Sequence, residues 1–93
     1  MDEQDLRLEV DRGAQVENLL RNPILIDAFQ VLEARYTDAW RASNDGDSER
    51  REYLFKLFRA LGDVRAHLNQ VVETGDLAKS QLEALKGRKR SFL

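Results

Sequence analysis

The chain has 93 residues, of which 34% are charged, with a net charge of −2 and no cysteine. That composition excludes disulfides, thiolate metal ligands and cysteine nucleophiles, and it gives no global electrostatic case for nucleic acid. No apolar run approaches the ~20 residues of a membrane span. A single small domain over 1–87 is expected, followed by a basic tail over 88–93. A core this small leaves room for a partner or a second copy to contribute to stability. The opening Met1-Asp2-Glu3-Gln4-Asp5 is acidic and lacks the apolar stretch of a secretory signal. A cytoplasmic protein is therefore expected, with host-cell cytoplasm or a virion included.

The first element is a weak helix over Asp2 to Leu20. Leu6, Val10, Val16 and Leu20 make its stripe, and Gly13 inside it is a candidate break. Asn22-Pro23 then reads as an N-cap followed by proline at the first helical position, where a missing N–H costs nothing. A helix is predicted from Pro23 to about Arg41, with Leu25, Ala28, Phe29, Leu32, Tyr36, Ala39 and Trp40 on its apolar face. Ser43 to Ser48 is a loop by composition. Asp47 or Ser48 can cap a helix from about 49 to 74, striped by Leu54, Leu57, Phe58, Leu61, Val64, Leu68, Val71 and Val72. Gly75 suits the left-handed residue that ends a helix, Asp76 can cap a short final helix, and Gly87 can stop it. The predicted fold is all-α: an antiparallel hairpin of helices near 23–41 and 49–74, with shorter helices at both ends.

The apolar arcs are wide. At ~100° per residue they span roughly 180° on the first long helix and roughly 160° on the second. A two-helix seam needs a narrower stripe, so each helix should meet more than one neighbour. Part of that surface is available to the first helix. The remainder points to self-association or a protein partner, against the plainer alternative of a closed three- or four-helix monomer.

No motif for a catalytic, cofactor or metal site stands out in the sequence, and the plentiful carboxylates, Asp27, Glu33 and Asp38 among them, lie along solvated helix faces. His67, the single histidine, falls on the polar side of its helix beside Arg65, Ala66 and Asn69, which supply neither an orienting partner nor metal ligands. Asp45-Gly46-Asp47 lacks the alternating ligands and closing glutamate of a calcium loop, so turn and cap chemistry explains it. Phosphate-cradling glycine loops, serine elbows and paired zinc-site histidines are absent from the sequence. The expectation is a non-enzyme without cofactor or small-molecule substrate.

Candidate interface residues are Tyr36, Trp40, Arg35 and Phe55. Tyr36 and Trp40 lie one turn apart on the apolar face, where they serve either as partner anchors or as core near the hairpin bend. Arg35 projects within the apolar arc, placed to snorkel or to meet a carboxylate. Phe55 lies outside its helix's arc, as does Ile26 outside its own. The C-terminus carries the local electrostatic signal. Lys86, Arg88, Lys89 and Arg90 fill four of the five positions 86–90 and are candidates for contact with DNA phosphates or an acidic partner.

A family resemblance completes the reading. It runs through Asn22-Pro23-Ile24-Leu25, Ala28-Phe29, Leu32-Glu33 with Tyr36, and Ala39-Trp40. It continues through Arg51-Glu52 and closes on Val71-Val72-Glu73-Thr74-Gly75 and Ala78. The chain resembles small all-helical proteins of tailed bacteriophages encoded among head and DNA-packaging genes. The resemblance implies a role in virion assembly, as a small terminase-like packaging subunit or a structural adaptor, working as a homo-oligomer or with a phage or host protein. The helix-turn-helix of a small terminase subunit has no counterpart at this N-terminus. The alternative expectation is a small phage or bacterial regulator that inhibits a host polymerase or defence protein.

Overall fold

In a computed structural model the backbone is described for residues 2–91 and the side chains for residues 2–88. The described chain is all-α: α1 (Glu3–Leu20), α2 (Pro23–Ala42) and α3 (Ser48–Ser91), with no strand among the described residues. The helix starts follow side-chain chemistry. Asp2 Oδ1 accepts from the Asp5 N–H at 2.8 Å, Asn22 Oδ1 from the Ile24 N–H at 2.8 Å, and Asp47 Oδ1 from the Arg50 N–H at 3.2 Å. Each satisfies a donor that the first turn of a helix leaves open. Pro23 takes the first position of α2, as expected.

The chain divides into two compact units. One holds α1 with the stretch of α3 from Leu68 onward, and the other holds Arg21–His67.

In the Arg21–His67 unit, α2 and the first half of α3 form the predicted antiparallel hairpin around the 43–47 loop. Contacts fix its sense. Trp40 meets Arg51 near the loop, while Phe29 and Glu33 meet Arg65 farther away. Phe29 and Leu54 are its buried apolar side chains. Leu61 is only half-buried, although it lies in the middle of the predicted stripe.

In the other unit the glycines correct the sequence reading. Gly13 does not break α1, Gly75 does not end α3, and Asp76 does not begin a new helix. No described glycine has a positive φ. Gly13 and Gly75 are both buried, and they face each other. A Cβ on Gly13 would stand 2.9 Å from the Gly75 Cα and 3.3 Å from the Val71 carbonyl oxygen. A Cβ on Gly75 would stand 2.9 Å from the Gly13 Cα and 3.0 Å from the Glu9 carbonyl oxygen. The glycines thus serve close backbone approach rather than helix termination. Leu6 and Ala78 are the other buried residues of this unit. Gly87 does not stop α3 either, since the helix continues to Ser91.

Candidate protein-binding site

The hairpin end is fastened by one arginine. Ser43 ends α2, its N–H and its hydroxyl both donating to the Trp40 carbonyl, at 3.2 and 2.6 Å. Arg51, on the first turns of α3, donates to the Ser43 hydroxyl at 3.1 Å and its carbonyl at 3.5 Å. Its guanidinium carbon lies 4.0 Å from the centre of the Trp40 ring. An arginine stacked this way attracts the negative face of the indole while its N–H groups remain free to bond at the edge. The Asp45 carboxylate, 3.7 Å away, is fully exposed and adds little. The effect is to hold Trp40 in one orientation at the surface.

Beside it lies an apolar groove of about 200 Å³ lined by Tyr36, Thr37, Trp40, Leu54, Phe55 and Phe58. Three of the four predicted interface residues meet here: Tyr36, Trp40 and Phe55. Arg35 does not; it is exposed, and helical spacing puts it away from the Trp40 side of α2. Trp40 is 41% exposed, Phe55 57% and Phe58 46%. A side chain of that size, half in water, has no packing partner for its outer face. Phe58 corrects its assignment to the core stripe. Val64, from the same stripe, is also exposed.

The groove belongs to a longer face. On α2, Ile26, Glu33, Thr37 and Trp40 recur at helical spacing; on α3, Arg51, Phe55, Phe58 and Gly62 do so. Ile26 is exposed, as its position outside the arc predicted. Glu33 and Arg65 close an ion pair at 2.6 Å, and the Arg65 guanidinium lies 4.9 Å from the centre of the Phe29 ring. Gly62 is unlike Gly13 and Gly75, because nothing lies within 4 Å of a Cβ built there. Sequence reasoning missed Arg51, Thr37, Phe58 and Gly62 as parts of this face. The available signal for Arg51 was its place in the first turns after the loop, opposite an aromatic residue in the last turns before it.

His67 is exposed. Among the described residues, no group of three or more histidine, cysteine, aspartate or glutamate side chains is placed to hold a metal ion. None of the described helices is long and apolar enough to cross a membrane. Lys86 and Arg88 belong to the other unit and are exposed. The side chains of Lys89 and Arg90 lie outside the described residues. The chain matches no known family model, no curated protein and no solved structure.

Proposed function

We propose that this protein acts by binding protein, as a non-enzymatic helical adaptor whose contact face is the aromatic groove of the hairpin. One observation carries the reading: Trp40, Phe55 and Phe58 stand half in water around one groove, with Trp40 held in place by Arg51. Exposed Trp and Phe around a concave apolar surface supply the anchors and pocket on which protein interfaces rely. A stacked arginine that fixes the indole in advance lowers the ordering cost of binding. The resemblance to phage head and packaging proteins supplies the setting, that of an assembly or packaging accessory in the host cytoplasm or the virion. Lys86, Arg88, Lys89 and Arg90 provide a secondary electrostatic contact with DNA in that setting.

The test is made in extracts of cells that naturally produce the protein. By gel filtration, the protein should elute well above its own 10.8 kDa. Phe55→Asp should return it to the single-chain position with its helical circular dichroism unchanged. Elution of the unaltered protein as a lone chain would contradict the proposal.

A further inference from the structure

Gly62 has no structural use within the single chain. It sits inside α3, where glycine weakens a helix by about 1 kcal/mol relative to alanine, and the space beside it is open. Gly13 and Gly75 show one use of a helical glycine in this fold, letting another backbone approach where a Cβ would not fit; Gly87, also in α3, has open space beside it as Gly62 does. Gly62 lies on the same stripe as Phe55 and Phe58, seven and four residues on. One stripe therefore carries a large aromatic projection and, two turns away, a notch.

We infer that this face binds a second copy of the chain, α3 against α3 in antiparallel sense, about a two-fold axis near Phe58 and Arg59. The inference rests on the proposal that the groove face is a protein-binding surface. A projection and a notch on one stripe are self-complementary under a two-fold axis, because each Phe55 then meets the other copy's Gly62. Two hairpins joined in this way bring four helical segments around one apolar centre, a stable arrangement for helices with wide apolar arcs. The area agrees. Taking aromatic side chains at about 150–250 Å² each, Trp40, Phe55 and Phe58 together with Ile26 leave roughly 400 Å² in water. A standard interface buries about 800 Å² per partner, somewhat over half of it apolar, or roughly 450 Å². A second copy thus needs about what this face offers.

The experiment is sedimentation equilibrium on the purified full chain over a wide concentration range. The mass should approach twice 10.8 kDa. Gly62→Leu should return it to one chain by filling the notch; with open space at that position, the variant keeps its helical spectrum. Because the chain has no cysteine, single-cysteine variants report the register cleanly. Arg59→Cys should link to itself through a short bismaleimide, and Lys56→Cys, on the opposite side of α3, should not. A one-chain mass at every concentration, a mass above two chains, or a Gly62→Leu variant as dimeric as its parent would overturn the inference. If the purified chain is monomeric but the extract shows a Phe55-dependent complex, the second copy is wrong and the binding face stands. If neither experiment shows an assembly, both fail.

Discussion

Gly13 and Gly75 meet backbone to backbone, so closely that a methyl group on either would stand 2.9 Å from the other's Cα. This approach sets how near α1 lies to the later stretch of α3. It also explains why two residues that weaken helices occur inside these two.

Alanine at these positions separates helix propensity from packing. In dilute solution, where one chain stands alone, Gly62→Ala should raise stability by about 0.5–1 kcal/mol, since it stiffens α3 and meets nothing within the chain. Gly13→Ala and Gly75→Ala gain the same propensity but must push two backbones apart, which costs about 1–3 kcal/mol. Both should therefore lower the denaturation midpoint. Urea titrations followed by circular dichroism check the opposite signs; a rise for all three would show that the close approach is not required.

Arg51→Met should free Trp40. The stacking and hydrogen bonds it removes are worth about 1–2 kcal/mol. Trp40 is the only tryptophan, so intrinsic fluorescence reads it directly. Its emission should move to longer wavelength under native conditions. Unchanged emission would mean that Arg51 does not hold the ring.

Leu54 and Phe55 are neighbours with opposite fates. Leu54→Ala removes a buried side chain and should cost about 2–4 kcal/mol. In dilute solution, where one chain stands alone, Phe55→Ser should change stability by less than about 0.5 kcal/mol, as exposed positions do. Comparable destabilisation by both would place Phe55 in the core.

The Glu33–Arg65 pair is partly exposed on both sides, so its coupling should be small despite the 2.6 Å separation. A double-mutant cycle with Glu33→Gln and Arg65→Met should give less than about 1 kcal/mol, falling further in high salt. A larger value that salt leaves unaltered would show that the pair is more deeply shielded than its exposure implies.

Replacing Arg88, Lys89 and Arg90 together by alanine should flatten the salt dependence of DNA binding. Every phosphate that is no longer neutralised takes about 0.9 from the slope of log K against log salt. Circular dichroism should remain helical. Equal binding and equal slope with and without the three charges would assign them no role in holding DNA.

Much of the fold was legible in the sequence, because caps and periodicity are local. Asn22-Pro23, the Ser43–Ser48 loop and Asp47 placed both ends of α2 and the start of α3 to within a residue or two. The glycines were not legible. Gly75 followed by Asp76 carries the signature of a helix end, and only a facing backbone reveals its other use. The site was half legible. Tyr36, Trp40 and Phe55 stand out by residue type and position, but Phe58 shares the spacing of core residues. Its exposure depends on how far α2 reaches across α3, a tertiary quantity. Arg35 misled because a wide apolar arc does not show which part of it the partner helix covers.

The most direct measurement places a photoreactive phenylalanine analogue at position 55 in cells that naturally produce the protein, with position 56 as control. A protein-binding aromatic face predicts strong crosslinking from position 55 to another polypeptide chain, a second copy included, and little from position 56. Equal yields from the two positions, or products confined to the chain's own residues, would contradict the claim that this aromatic face is a protein-binding surface.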